Sequence, residues 1–228
     1  MEKDKKMKKG EKKYSLKGSS LWGVLLFGIL LLIDMLTKIV ADAYFDPADE
    51  PIKLIPGYLE LRLSYNRGIA FSMASGWDEK AKMALVLSTC VLFVIFAIVY
   101  FKMDKRRSWV RVALVFIIAG GVGNLIDRVY YQMWDPNAAG GVRDMVYLKF
   151  YFDFLDFGVC NFADFFIVGG AIALVLAMLF FDTGAVCPLT KKYKQLSKEA
   201  EEAEEAKKAA KIKAAKEKAL AKKAERKE

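Results

Sequence analysis

The chain has 228 residues, of which 55% are hydrophobic and 28% are charged, with a mean hydropathy of +0.20 and a net charge of +9. Histidine is absent, which excludes a Ser-His-Asp triad, a Cys-His pair and a His-ligated zinc site. The three cysteines, Cys90, Cys160 and Cys187, are too few and too scattered for a Cys-only metal site or a disulfide framework. Any chemistry must therefore come from carboxylates, Lys, Ser, Thr, Tyr or Arg.

The apolar residues are segregated into four stretches, each long enough to cross a bilayer, which takes about 20 mainly apolar residues. The predicted spans are Leu21–Tyr44, Ala81–Phe101, Trp109–Tyr131 and Phe162–Phe181. Most of the 36 basic residues lie before the first span, between the second and third, or after the fourth. The positive-inside rule then predicts that both termini are cytoplasmic and that the two longer loops face outward.

This arrangement predicts an all-α membrane protein in three parts: a basic cytoplasmic N-terminus over 1–20, a four-helix membrane domain over 21–181 and a charged cytoplasmic tail over 182–228. The tail is rich in Ala, Lys and Glu and lacks the large apolar residues of a coiled coil, which predicts a solvated helix. The N-terminus has an alternative interpretation as a cleavable signal peptide. Asp34 and Lys38 argue against it, because such a peptide needs small neutral residues there.

The first span carries charged side chains in its outward half. Asp34, Thr37 and Lys38 are spaced i, i+3 and i+4 and therefore share one helix face. Each charge at the centre of a span costs about 2.5–3.5 kcal/mol on insertion, and an intramembrane charge is by default a hypothesis of function. The alternatives are an ion pair between helices and a Lys38 side chain that snorkels to the membrane surface.

The outer loops suggest a site that opens outward. Tyr58–Tyr65 alternates apolar and polar residues and predicts a half-buried strand. We therefore expect a small outward-facing β element in the first outer loop, leading into Asn66-Arg67-Gly68-Ile69-Ala70-Phe71. In the second outer loop, Tyr147–Phe157 is dense in Phe and Tyr, which predicts an interfacial aromatic belt.

The third and fourth spans also carry polar residues at their outer ends. Asp127 and Arg128 are adjacent on the third span, so they point in different directions and should have different partners. Asn161 followed by Asp164 predicts a capping box at the start of the fourth span, and capping alone is an alternative role for Asp164. The predicted orientation brings five polar residues from three spans to the outer membrane boundary: Asp34, Asn124, Asp127, Arg128 and Asp164.

Together these residues resemble the lipoprotein signal peptidases, also called signal peptidase II, of bacteria. Five motifs carry the resemblance: Asp34-Met35-Leu36-Thr37-Lys38, Asn66-Arg67-Gly68-Ile69-Ala70-Phe71, Gly123-Asn124-Leu125-Ile126-Asp127-Arg128, Val142-Arg143-Asp144-Met145 and Asn161-Phe162-Ala163-Asp164. Their order and their places on the spans make the match specific. It covers about Leu21–Phe181 and leaves out the basic start and the charged tail.

The resemblance implies an aspartic endopeptidase that removes the signal peptide of a prolipoprotein before its diacylglyceryl-modified cysteine. It implies that Asp144 and Asp164 are catalytic; Asp156 is the alternative to Asp144, and Asp153 lies in the same loop. Residues implied to support the substrate or the catalytic pair are Asn66, Gly68, Asn124, Arg128, Asn161 and Ala163. A structural role is implied for Asp34, Lys38 and Asp127.

The implied mechanism requires no metal or cofactor. Two carboxyls held close together share one proton near neutral pH. The ionised member activates a water molecule, and the neutral member hydrogen-bonds the scissile carbonyl. Because a coupled pair titrates jointly, the sequence leaves open which aspartate carries the proton.

The resemblance also implies partners and a location. The partners are lipid-modified prolipoproteins and membrane phospholipid, with no nucleic acid, and we expect a monomer. The location is the bacterial inner or plasma membrane, with the active site at its outer face. The main alternative from another class is an ion- or proton-coupled membrane transporter, because intramembrane acids also serve proton relays. Transport folds usually carry internal repeats, and none is visible in this sequence.

Overall fold

The structure is a computed structural model that describes residues 16–68, 76–135, 137, 140–149, 156–182, 186–187 and 189–225. Its helices are α1 (Leu16–Tyr44), α2 (Glu79–Lys102), α3 (Ser108–Tyr130), α4 (Phe162–Leu176) and α5 (Lys191–Glu225), and a π-helical turn, Ala177–Phe181, continues α4. Its strands are β1 (Ile52–Ile55), β2 (Leu59–Asn66), β3 (Val142–Lys149) and β4 (Asp156–Cys160). Several sequence predictions fall at least partly outside the described residues, including the motif end Ile69–Phe71, Asp153 and residues 1–15 of the basic N-terminus.

Within the described residues, four helices are long and apolar enough to cross a membrane. They are Leu21–Tyr44, Glu79–Lys102, Ser108–Tyr130 and Phe162–Phe181, which confirms the four predicted spans with small differences at their ends. In the most apolar part of α3, 56% of the residues are buried, against 22% or less in each of the other three. Helix α3 is therefore the centre of the bundle, and the other spans expose broad apolar faces of the kind that lipid covers.

Two glycines on α3 let the backbone of α4 and an aromatic ring of α2 approach closely. A Cβ at Gly120 would lie 2.3 Å from the carbonyl oxygen of Ala163 in α4. A Cβ at Gly121 would lie 1.7 Å from the ring of Phe93 in α2. Small residues at helix contacts permit this close packing in membrane bundles, so these two positions fix α3 against both partners.

The two longer connections form one antiparallel sheet in the order β1-β2-β3-β4. The β element predicted for the first connection is present as β1 and β2, and the second connection adds β3 and β4, which were not predicted. Strand β3 lacks the apolar–polar alternation of a half-buried strand, since the adjacent charged residues Arg143 and Asp144 are both buried. Residues 150–155, which fall in the predicted aromatic belt, lie outside the described part of the chain.

The sheet packs against one end of the helix bundle. Ala41 near the end of α1, Leu63 in β2 and Met145 in β3 form a buried cluster. Phe162, in the first turn of α4, packs against it. The end of α1, the start of α4 and the sheet therefore meet at the same end of the molecule, where the polar motifs are also found.

Helix α5 docks at the opposite end of the bundle. Tyr193 in its first turn is 6% exposed, and its ring centroid is 6.1 Å from that of Phe181, which in turn is 6.2 Å from Trp109. Residues 201–206 are exposed. The charged tail contains the helix Lys191–Glu225, and the first turn of that helix packs on the end of the bundle.

We expect the two parts of α5 to differ in their contribution to stability. Tyr193→Ala should lower the free energy of unfolding by about 3 kcal/mol, because it truncates a buried aromatic side chain. Deleting residues 201–228 should leave the melting temperature unchanged. Thermal unfolding of the purified protein in detergent measures both, and a truncated protein that melts as early as the Tyr193 variant would contradict this division.

Candidate active site

A buried cation lies at the centre of the polar cluster. The Lys38 side chain is 0% exposed, and its Nζ lies 2.8 Å from Oδ2 of Asp34 and 3.4 Å from Oδ2 of Asp127. The same Nζ donates a hydrogen bond of 2.9 Å to Oδ1 of Asn124. Lys38 therefore pairs within the bundle, and the alternative of a snorkelling side chain is wrong. Because a buried charge is costly unless it is paired and hydrogen-bonded, these contacts tie α1 to α3.

Asp34 connects the same cluster to α4. Its Oδ1 accepts a 2.9 Å hydrogen bond from the backbone N–H of Ala163, one of the N–H groups that a helix start leaves without an intrahelical partner. A Cβ at Gly123 would lie 2.3 Å from Asp34 Oδ2, so glycine at that position makes room for the carboxylate. Thr37 shares the face predicted from sequence, but its hydroxyl donates to the backbone of its own helix.

Two asparagines link this cluster to two aspartates. The Nδ2 of Asn161 donates to Oδ1 of Asn124 at 3.0 Å and to Oδ1 of Asp144 at 2.6 Å. The Nδ2 of Asn124 donates to Oδ1 of Asp164 at 2.8 Å. The structure thus brings Asp144 and Asp164 together, although they come from a strand and a helix. Asp144 is 2% exposed, and Asp164 is half-buried.

Asp164 is also a helix-capping residue. Its backbone N–H donates to Oδ1 of Asn161 at 3.0 Å, and its Oδ2 accepts from the backbone N–H of Asn161 at 3.1 Å. This is the predicted capping box. Its Oδ1 still accepts from Asn124, so capping is not the only role open to this carboxyl. Two N–H donors, from Asn124 and Asn161, thus reach this carboxyl at the start of α4.

Asp144 is in a different electrostatic situation. Burial raises the pKa of this carboxyl to about 7, and the charge of Asp164 acts in the same direction. Hydrogen bonds from Asn66 and Asn161 and the charge of Lys38 act against this rise in pKa without overcoming it. The two carboxyls are therefore not equivalent, and Asp144 is the one whose surroundings favour the neutral form near neutral pH.

The end of β2 covers this pair of carboxyls. Oδ1 of Asn66 accepts a 2.9 Å hydrogen bond from the N–H of Gly68. The carbonyl oxygen of Gly68 accepts one of 3.5 Å from Nη2 of Arg128. The guanidinium of Arg128 also interacts electrostatically with Asp164 and Asp144. Asn66, Gly68 and Arg128 therefore belong to the same site.

Asp127 has a different set of partners from its neighbour Arg128, as their spacing predicts. It binds Lys38 and, through both carboxylate oxygens, the side chain and backbone N–H of Arg143. Sequence analysis assigned no role to Arg143. One signal in the sequence could have drawn attention to it: Arg143 directly precedes Asp144, and neighbours on a strand point to opposite faces.

Asp144 and Asp164 line one cavity of about 320 Å³. Other residues that line it are Asn66, Phe93, Asn124, Arg128, Cys160 and Ile167. One wall is thus polar and another apolar. A larger, open cleft of about 470 Å³ lies beside Tyr131 and Asp135 and contains neither carboxyl of the pair.

Cys160 lies in the same cavity and is buried. Its thiol donates to the carbonyl oxygen of Val146 at 3.2 Å. Burial, together with the charges of Asp164 and Asp144, raises the pKa of this thiol to about 12. The thiol is therefore uncharged at neutral pH and is a weak nucleophile there.

Asp156, the alternative to Asp144, is the first residue of β4 and the cross-strand neighbour of Lys149 in β3.

Comparison with known proteins gives consistent matches. The family model described as signal peptidase (SPase) II matches residues 26–180. A lipoprotein signal peptidase of Streptococcus thermophilus is 36% identical over 138 residues, which are 60% of this chain and 79% of the relative. One of Fusobacterium nucleatum is 30% identical over 167 residues, 72% of this chain and 90% of the relative. A bacterial membrane enzyme solved by the in meso method at 1.9 Å is 25% identical, with a TM-score of 0.56 over 69% of this chain and 92% of that structure.

Removing one anion from the Lys38 cluster should destabilise the protein strongly. Asp34→Asn keeps the size of the side chain but leaves a buried ammonium with one carboxylate fewer, which typically costs about 3–5 kcal/mol. The matched control is Asp104→Asn, because Asp104 pairs with Arg106 where both side chains are about half exposed, and such surface pairs contribute about 0–1 kcal/mol. Chemical or thermal denaturation in detergent compares them, and equal stabilities of the two variants would contradict this reading of the cluster.

Proposed function

The chain belongs to the signal peptidase II family, and from that membership we propose that Asp144 and Asp164 are the carboxyl pair that cleaves its substrate. The enzyme is a membrane peptidase that removes signal peptides from prolipoproteins, which decides against the transporter alternative. One observation carries the proposal. The Asn161 side chain donates to Asp144 and accepts from the backbone N–H of Asp164, so both carboxyls are held at one cavity.

The pair holds one proton, and Asp144 carries it. Two neighbouring carboxyls cannot both ionise without strong repulsion. Asp144 is the more buried of the two, and its raised pKa favours the neutral acid. Asp164 receives N–H donors from Asn124 and Asn161 at the start of a helix, which suits a carboxylate. The different surroundings thus assign the acid and the base.

Asp164 acts as the general base on a water molecule in the cavity. As the water oxygen attacks the carbonyl carbon of the scissile peptide bond, one water proton moves to the Asp164 carboxylate. The electron pair of the carbonyl bond moves to the carbonyl oxygen, which becomes an oxyanion. When the C–N bond breaks, the proton held by Asp164 moves to the leaving nitrogen, the new N-terminus of the lipoprotein.

Asp144 acts as a hydrogen-bond donor to the carbonyl oxygen. A neutral carboxyl can donate one O–H bond, and that bond strengthens as negative charge develops on the oxygen. The cavity is partly apolar, and such preorganised donors contribute more where water is excluded. Arg128, which lines the same cavity, adds a positive charge near the developing oxyanion.

The cavity also fits a substrate attached to the membrane. Phe93 and Ile167 form an apolar wall next to the two carboxyls. Val91 and Val168, on the same two helices, are 59% and 45% exposed on faces that lipid would cover. We therefore assign the apolar side to the lipid chains of a diacylglyceryl-modified cysteine and the polar side to the peptide.

The site opens on the outer side of the membrane in this account. The opposite end of the bundle carries the short connection between α2 and α3, with Lys105, Arg106 and Arg107. The positive-inside rule places that connection in the cytoplasm, and hence the sheet, the cavity and the carboxyls outside. Both termini are then cytoplasmic. One chain supplies both carboxyls and both asparagines, so a monomer is sufficient for activity.

Substitution of either carboxyl should abolish cleavage of a lipid-modified prolipoprotein. Asp144→Asn and Asp164→Asn are near-isosteric but remove an ionisable group, and each should lower turnover by about 10³-fold or more. Asp156→Asn is the matched control from the same sheet and should cleave normally. The assignment of Asp144 is wrong if Asp144→Asn turns over near the normal rate and Asp156→Asn does not.

Activity should fall as the pH rises through the pKa of Asp144. Because the neutral form of this carboxyl is required and its pKa is about 7, kcat/KM should decline about tenfold per pH unit on the alkaline side.

The raised pKa of Asp144 also makes the stability of the folded protein depend on pH. A carboxyl with a folded pKa above its ordinary 3.8 stabilises the fold fully at low pH and loses that contribution as the pH rises through about 7.

The Asp144→Asn variant supplies the control for that pH effect. It cannot ionise at position 144, so its melting temperature should gain on that of the wild type as the pH rises from about 4 to about 7 and should gain no further above about pH 8. Melting curves of the two proteins across this range measure the difference. A constant difference, together with a flat alkaline limb of kcat/KM, would contradict the neutral role of Asp144.

A further inference from the structure

Arg143 connects the residue before Asp144 to the centre of the bundle. Its backbone N–H donates to Oδ2 of Asp127 at 3.0 Å, and its Nη2 donates to Oδ1 at 2.7 Å. One carboxylate on α3 thus holds both the main chain and the side chain of this position on β3. Neighbouring residues on a strand point to opposite faces. Arg143 is therefore fixed on the side away from the cavity while Asp144 faces it.

A second group of side chains, besides Asp127, also holds the Arg143 guanidinium. Its Nη1 lies 3.7 Å from Oδ2 of Asp42, at the end of α1. Two tyrosines donate their hydroxyls to the same carboxylate, Tyr131 to Oδ2 at 3.1 Å and Tyr65 to Oδ1. The guanidinium also lies 5.4 Å from the centroid of the Tyr131 ring, within cation–π range. We call Asp42, Tyr65 and Tyr131 the outer anchor.

The outer anchor links three elements to β3. Asp42 comes from α1, Tyr131 follows α3, and Tyr65 on β2 is the cross-strand neighbour of Arg143. Burial and the Asp42 carboxylate raise the pKa of the Tyr65 hydroxyl, and burial raises the pKa of the Tyr131 hydroxyl. Both hydroxyls are therefore protonated donors near neutral pH.

Strand β3 needs such anchoring because its ladder is interrupted on both sides. The pairing of β2 with β3 shifts between Leu61 and Ser64, and Ser64 is the residue opposite Asp144. The pairing of β3 with β4 shifts between Tyr147 and Lys149. A slip of one residue turns every side chain of a strand to the other face, so side-chain contacts must supply the register that the irregular ladder leaves weakly specified.

We propose that Arg143, held between Asp127 and the outer anchor, is a positioning residue that keeps Asp144 facing Asp164. The proposal rests on the proposed function, since it concerns the geometry of that carboxyl pair. Arg143 touches neither the cavity nor the reacting atoms in this account. It acts through the position of its neighbour on the strand, and a displacement of about 1 Å in such a group can reduce turnover about 10²-fold.

The test is Arg143→Lys, compared with Arg62→Lys. Lysine keeps the positive charge but loses the planar group that binds Asp127 through two nitrogens. Arg62 is a matched control because its guanidinium stacks on Tyr147, 4.4 Å from the ring centroid, in the same sheet. We expect kcat to fall about 10- to 100-fold in Arg143→Lys, with KM changed by less than about twofold. Arg62→Lys should keep both constants.

The pH profile separates positioning from a purely structural role. The charged groups around Asp144 are Asp164 on α4, Lys38 on α1 and Arg128 on α3, with the Cys160 thiol on β4. Because Arg143→Lys changes none of these charges, a shift of the alkaline limb of kcat/KM reports movement of Asp144. Movement away from Asp164 and out of its buried position should shift that limb to lower pH.

The outcomes are distinct. A normal kcat and an unshifted alkaline limb in folded Arg143→Lys overturn the proposal, as does a loss of kcat equal to that of Arg62→Lys. If Arg143→Lys does not fold, Asp42→Asn decides, because Asp42 is 33% exposed and leaves the Asp127 contacts intact. It should lower kcat several-fold and shift the alkaline limb of kcat/KM to lower pH. An unchanged kcat and an unshifted limb overturn the proposal. An active Asp144→Asn would instead refute the catalytic pair itself.

Discussion

The arrangement of the polar cluster depends on the contacts made by the buried ammonium of Lys38. This ammonium pairs with carboxylates on its own helix and on α3 and donates to Asn124. Asn124 in turn holds Asp164 and accepts from Asn161, which holds Asp144. A charge this deeply buried is tolerated only when it is fully paired, so the same contacts that satisfy Lys38 also fix the positions of the two carboxyls.

The two carboxyls differ because they are held by different kinds of element. Asp164 lies in the first turn of a helix, where N–H donors and the helix dipole favour a negative charge. Asp144 lies in a strand, almost entirely buried, where desolvation favours the neutral acid. In the proposed mechanism, these two surroundings give similar side chains different roles. This difference allows a site built from carboxyls to supply both a base and a hydrogen-bond donor.

Sequence predicted the features that depend on local spacing and missed those that depend on distant partners. The four spans follow from the length of apolar runs, and the capping box at Asn161 follows from its spacing to Asp164. Strand β3 was missed because its buried charges have partners elsewhere in the chain. Asp42 was missed for the same reason, since Arg143 and the two tyrosines that bind it are far away in sequence.

The central claim is that the pair holds one proton and that Asp144 carries it. Infrared spectroscopy of the purified enzyme tests it most directly, because a protonated carboxyl absorbs separately from a carboxylate. We predict a protonated-carboxyl band that is present at about pH 6, disappears as the pH rises through about 7, and is missing from Asp144→Asn. Persistence of that band in Asp144→Asn, with its loss from Asp164→Asn, would contradict the assignment.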